Sequence, residues 1–94
     1  MLNRYERDIE RYAARLAKIH NCLFYKLNGP PGMPDRLLIT PDGVIFFIEF
    51  KRPGGKLSLR QETRIRELED HGANVLILGS KEAVRTFFLS AESD

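Results

Sequence analysis

The chain has 94 residues, a formal net charge of +2 from fifteen Lys and Arg against thirteen Asp and Glu, and 43% hydrophobic residues. This bounds it to one domain with a modest core and excludes a disordered chain. No apolar run approaches the ~20 residues that span a bilayer, and the opening MLNRYERDIERY lacks the core of a signal peptide, so no membrane partner and a cytoplasmic location are expected. The single Cys22 lies in an apolar Cys-Leu-Phe-Tyr run and reads as a small buried hydrophobe. His20 and His71 share no ligand spacing and read as helix-terminal residues, which leaves no zinc cluster.

Asn3-Arg4-Tyr5-Glu6 is a capping box opening a helix that should run to about Ile19 or His20. At about 100° per residue, Tyr5, Ile9, Tyr12, Ala13 and Leu16 form an apolar stripe, with Arg4, Arg7, Arg11, Arg15 and Lys18 opposite. The basic stripe is either a solvated face or a phosphate-facing surface. Glu10 lies between the stripes beside Ala13, Ala14 and Ala17, where small neighbours allow close approach. It either reaches inward or pairs along its own helix, for example with Arg7.

Cys22 to Leu27 is a first strand, ended by Asn28-Gly29-Pro30-Pro31-Gly32. The hairpin that follows, Asp35 to Lys51, organises the rest of the chain. Thr40-Pro41-Asp42-Gly43 suits a type I turn followed by a left-handed glycine, which closes the ladder with Thr40 opposite Val44. Counting outward, Asp35 falls opposite Glu49, on one face with Cβ atoms roughly 5 Å apart. Lys51 returns to that face two residues later. Two like charges placed there repel, and a divalent cation turns the repulsion into coordination; hard oxygen ligands suit Mg²⁺ or Mn²⁺.

Val44 to Lys51 is apolar on both faces until Glu49, as in a central strand. Arg52 to Lys56 is a flexible basic loop. Ser58-Leu59-Arg60-Gln61 is a second capping box, opening a helix that ends near His71 with Gly72 as its left-handed cap. Asn74 to Leu78 is a buried strand, Ser80 caps a last helix bearing Val84, Phe87 and Phe88, and Ala91 to Asp94 are expected to fray. The order α-β-β-β-α-β-α predicts an α/β fold with a mixed four-stranded sheet flanked by helices. Its last two strands should be parallel through a right-handed crossover. No repeat or linker divides the chain.

Pro34-Asp35, then Glu49-Phe50-Lys51 after fourteen residues, resembles the PD-(D/E)XK nuclease signature, and the order of elements resembles that superfamily's restriction-endonuclease-like core. With Glu10 on the first helix, Gly32-Met33-Pro34-Asp35, Ile48-Glu49-Phe50-Lys51 and Ser58-x-x-Gln61, residues 1–94 more closely resemble a single VRR-NUC domain, the virus-type replication-repair nuclease, of the standalone phage or bacterial type. The resemblance implies that Asp35, Glu49 and the Phe50 main-chain carbonyl ligate Mg²⁺ or Mn²⁺. Glu10 would contact the metal directly or through its waters. Lys51 would orient or activate the attacking water and hold the phosphate, and Gln61 would fix the carboxylate network.

Standalone members of the family resemble Holliday junction resolvases. The expected function is therefore a metal-dependent, structure-specific DNA endonuclease hydrolysing phosphodiesters in branched DNA. A four-way junction needs two symmetric nicks and the chain offers one site, so a homodimer is expected, with Phe87 and Phe88 serving either its interface or the core. Arg36, Arg52, Lys56, Arg60 and Arg64 are the bases expected to track DNA. The alternatives are a non-specific or flap-type deoxyribonuclease and a non-catalytic DNA-binding or protein-interaction module.

Overall fold

A computed structural model describes residues 2–92; 93 and 94, the end of the segment expected to fray, lie outside the described residues. Helix α1 (Arg4–Ile19) is opened by Asn3, whose side chain accepts from the Glu6 N–H at 2.8 Å, with Glu6 reaching back as the box requires. Strands β1 (Leu23–Lys26), β2 (Arg36–Ile39) and β3 (Ile45–Phe50) follow, then α2 (Leu59–Asp70), β4 (Asn74–Leu78) and α3 (Lys81–Glu92). The sheet order is β1-β2-β3-β4. The first two pairings are antiparallel, and β3 with β4 is parallel.

The hairpin closes as its turn residues require. Gly43 donates its N–H to the Thr40 carbonyl at 2.9 Å, Thr40 donates to Val44 at 2.9 Å, and Gly43 sits at φ +88°. The Thr40 hydroxyl also donates to Asp42. The register that follows pairs Ile39 with Ile45 and Arg36 with Ile48, and one step further sets Asp35 opposite Glu49. Strand period two then sorts β3: Ile48 and Phe50 face one way, Phe47 and Glu49 the other.

The first face holds the main core. Ala13, Leu38, Ile48, Phe50 and Val84 are wholly buried there between the sheet and helices α1 and α3, joined by Ile9, Ala17, Leu78 and Phe88. Phe88 is buried and Phe87 packs on the same cluster, with the Phe87 ring 5.0 Å from that of Phe46. Of the two uses open to this pair, the core takes both rings, because the hydrophobic stripe of α3 packs against the same cluster of sheet and α1 residues. The opposite face is covered only in part. Helix α2 packs over β4 and brings Gln61 to Glu49, leaving Leu23, Tyr25, Ile45 and Ile77 about half exposed.

The remaining punctuation follows the sequence. Ser58 accepts from the Gln61 N–H and Gln61 from the Ser58 N–H, Gly72 takes φ +85°, and Ser80 accepts from Ala83 at 3.0 Å. His20 and His71 are the C-caps of α1 and α2. No helix among the described residues is long and apolar enough to cross a membrane.

Candidate active site

The β2–β3 hairpin carries two carboxylates on the α2 face at the end of the ladder remote from its turn. Glu49 is only 2% exposed. Gln61 donates its Nε2–H to Glu49 Oε2 at 3.0 Å, and the Lys51 Nζ lies 3.6 Å from the same oxygen. Asp35 Oδ2 accepts the Phe50 main-chain N–H at 2.8 Å, so the residue between Glu49 and Lys51 fixes the facing carboxylate. Asp35 Oδ1 and Glu49 Oε1 accept no hydrogen bond among the described residues. Each carboxylate is thus tied back through one oxygen and presents the other.

The electrostatics of the pair are those of confined like charges. Burial first, then the Asp35 charge, pushes Glu49 up to about 7, with Lys51 opposing. Burial also raises Asp35, opposed by the Phe50 N–H and reinforced by Glu10. Taking a carboxylate from water disfavours its charged form, and a second carboxylate beside it adds to the effect. A divalent cation fits this donor set: two oxygens that accept no hydrogen bond among the described residues, on groups whose negative charges repel.

Glu10 enters from the other face of the sheet. Its Oε2 lies 2.8 Å from the Arg36 Nε, in a pair whose side chains are both less than a fifth exposed. Of the two readings of Glu10, an inward reach is the one observed, with Arg36 as partner. Glu10 and Asp35 line one cleft of about 350 Å³ with Met33 and Lys26. No group of three or more His, Cys, Asp or Glu among the described residues is placed to hold one ion; Glu10 bears on the pair through its charge, which helps to raise Asp35.

The five candidate DNA-contacting bases divide. Arg36 is held by Glu10 and lies over the Phe24 ring at 4.8 Å. Arg64 donates to the Pro31 carbonyl at 3.2 Å and to Glu67 at 2.7 Å, fastening α2 to the 27–35 loop. Arg52, Lys56 and Arg60 are exposed and make no ion pair among the described residues. Arg60 and Arg64 border an open groove of about 430 Å³ with Pro31, Leu59 and Thr63. Next to Pro31, Gly32 (φ +91°) packs so closely that a Cβ there would lie 2.6 Å from the Arg60 carbonyl oxygen. The five bases of α1 all face solvent.

Sequence reasoning assigned Glu6 to the capping box alone. In the structure it is 5% exposed and accepts the Arg52 main-chain N–H at 3.0 Å, across 46 residues. The signal was present: at 100° per residue, Glu6 falls between Ala13 and Ala17 on the buried stripe, and a charge there requires a partner.

Three comparisons bear on this arrangement. The VRR-NUC domain family matches residues 8–82. "Putative nuclease p44" of Acyrthosiphon pisum secondary endosymbiont phage 1 is 34% identical over 82 residues, covering 82% of this chain and 85% of that protein. A solved structure described as a VRR_NUC domain superposes with a TM-score of 0.83 at 30% identity, over 96% of this chain and 98% of that one. The matched span holds Glu10, Asp35, Glu49, Lys51 and Gln61, and the chain belongs to the VRR-NUC domain family.

Proposed function

We propose that this nuclease domain is a metal-dependent, structure-specific DNA endonuclease that acts as a homodimer on four-way junctions. The observation that carries the catalytic reading is the convergence of Asp35, Glu49 and Lys51 at the open end of the hairpin, with Glu49 buried and raised to about 7. Mg²⁺ or Mn²⁺ held by Asp35, Glu49 and the Phe50 carbonyl would supply charge neutralisation at the phosphate and a lowered pKa for a bound water.

The protein's own groups divide the remaining work. The Phe50 N–H and the Gln61 amide hold one oxygen of each carboxylate, which fixes the direction of the other. Lys51 is about one-fifth exposed, so its amine reaches from Glu49 towards an incoming phosphate and orients the attacking water. Glu10, neutralised by Arg36, borders the cleft that leads to Asp35. Arg52, Lys56 and Arg60 provide backbone contacts independent of sequence, and a groove of this kind reads shape rather than bases.

Dimerisation is supported by the apolar surface that α2 leaves uncovered. Leu23, Tyr25, Ile45 and Ile77 project from one face of a sheet that is otherwise packed. A second copy related by a two-fold axis would bury the same residues on both sides and supply the second site that paired nicks require.

The test is cleavage of end-labelled DNA with Mg²⁺ or Mn²⁺, comparing a four-way junction with linear duplex, flap and single strand, alongside the protein's mass in solution. Symmetric nicks in the junction by a dimer are expected. Equal cutting of all substrates by a monomer would reduce the function to a non-specific deoxyribonuclease. No cutting by folded protein would leave a binding module.

A further inference from the structure

Glu6 stands outside the carboxylate pair, yet it is buried and bonded more elaborately than a helix cap needs. A capping box ordinarily uses one oxygen at the solvent-exposed start of a helix. Here Oε1 accepts from the Asn3 N–H at 3.4 Å while Oε2 accepts from the Arg52 N–H at 3.0 Å. Both neighbours are donors, so only a carboxylate satisfies both. Arg52 is the first residue after Lys51, and its N–H belongs to the peptide unit that sets where the Lys51 backbone points.

That peptide is gripped from its other side as well. A Cβ on Gly79 would lie 2.7 Å from the Lys51 carbonyl oxygen, so the absence of a side chain there lets β3 and the end of β4 meet. The Lys51 N–H donates to the Leu78 carbonyl at 3.1 Å. Among the described residues, Glu6 therefore adds a side-chain hydrogen bond to the main-chain contacts that hold Lys51 with its amine 3.6 Å from Glu49.

We propose that Glu6 is a positioning residue for the reaction, holding the Lys51–Arg52 peptide so that the Lys51 amine stays at Glu49. It acts from the first turn of α1, one turn before Glu10, and so couples the seating of that helix to the geometry of the site. The proposal rests on the nuclease reading only for its kinetic consequence; the clamp itself has its own readout.

Two substitutions separate reach from charge. Glu6→Asp keeps the charge and a capping acceptor but is one methylene short of Arg52. Glu6→Gln loses the charge yet retains one acceptor oxygen, which the shorter Arg52 bond takes. Asn3→Ala removes the cap without touching Arg52 and controls for stability. The experiment measures amide exchange at Arg52, the Lys51 Cε–Hε NMR signals, and steady-state cleavage under conditions where every variant is folded.

Glu6→Asp is expected to lose Arg52 protection, to average the Lys51 signals, and to lower kcat by about tenfold with KM unchanged, as a small misplacement of a reacting group does. Glu6→Gln and Asn3→Ala should stay near wild type in all three. In a Lys51→Ala background, Glu6→Asp should have no further effect on kcat, since residues acting through one another are not additive. The proposal is overturned if Glu6→Asp leaves Arg52 exchange and the Lys51 signals unchanged, or if the two kcat losses multiply. If the wild-type protein cleaves nothing, the nuclease reading fails, and the exchange and Lys51 signals still decide whether Glu6 holds the peptide.

Discussion

The two faces of the sheet do different work, and β3 carries both. On the face under α1 and α3, Ile48 and Phe50 are completely buried among Leu38, Ala13 and Val84. On the face towards α2, the alternate residues Glu49 and Lys51 meet Asp35 and Gln61, while Ile45 and Tyr25 remain about half exposed. The first face anchors the backbone by burial, and the second uses that rigidity to hold charges whose mutual repulsion would otherwise drive them apart. Catalytic geometry is more exact on an anchored strand than on a loop.

Substitutions at neighbouring positions should split along that division. Asp35→Asn or Glu49→Ala is expected to lower metal-dependent cleavage by about 10³-fold or more, the scale of losing a preorganised charge partner. Far-ultraviolet circular dichroism should show the fold intact. Full activity in either folded variant would remove the site from this end of the sheet.

Phe50→Ala, one residue along, should do the reverse. Deleting a wholly buried ring destabilises by about 3–5 kcal/mol. Urea titration should show that loss, and any protein that remains folded should still bind Mn²⁺, because the Phe50 main chain is unchanged.

The buried carboxylate also gives the α2 face a distinctive response to pH. Folded Glu49 is raised from 4.5 to about 7, so without metal the native state holds its proton more tightly than the unfolded chain does. Its contribution to stability is present below about 4.5 and is lost as pH rises to about 7, where it levels off. The full swing is on the order of 3 kcal/mol. In EDTA, Glu49→Gln should match the wild type near pH 4 and exceed it in denaturant midpoint at pH 8. An unchanged difference across that range would show that burial does not hold Glu49 protonated.

The smallest expected effect sharpens the comparison within a single motif. Ser58→Ala should cost about 1 kcal/mol through the lost cap and leave kcat unchanged in folded protein. Gln61→Ala should cost a similar amount and also lower kcat by about tenfold, since it frees Glu49 Oε2. Equal kcat values for the two variants would confine Gln61 to capping.

Much of this was legible before the chain was folded, wherever the decisive contacts were local. The turn at Thr40 to Gly43 set the hairpin register, and with it Asp35 opposite Glu49 and Lys51 beside them, because ladder pairing propagates from the turn without reference to the rest of the protein. Both capping boxes, the left-handed Gly72 and the span of β4 were readable for the same reason. The charged partners were less so. Arg36 and Arg64 stood among the bases expected to track DNA, and that Glu10 holds Arg36 from 26 residues away while Arg64 donates to the Pro31 carbonyl was not readable. Glu6 was visible as a cap but not as a clamp.

The sequence by itself determined the order of elements, the hairpin register and which residues share each face of β3, because these follow from backbone periodicity and hydrogen bonds over three to five residues. Tertiary structure decided which face α2 leaves open, that Glu10 is neutralised by Arg36, and that Glu6 holds the Lys51–Arg52 peptide. Those contacts join residues 26 and 46 positions apart. Their partners are chosen by how helices seat on the finished sheet, a choice that local propensity does not encode.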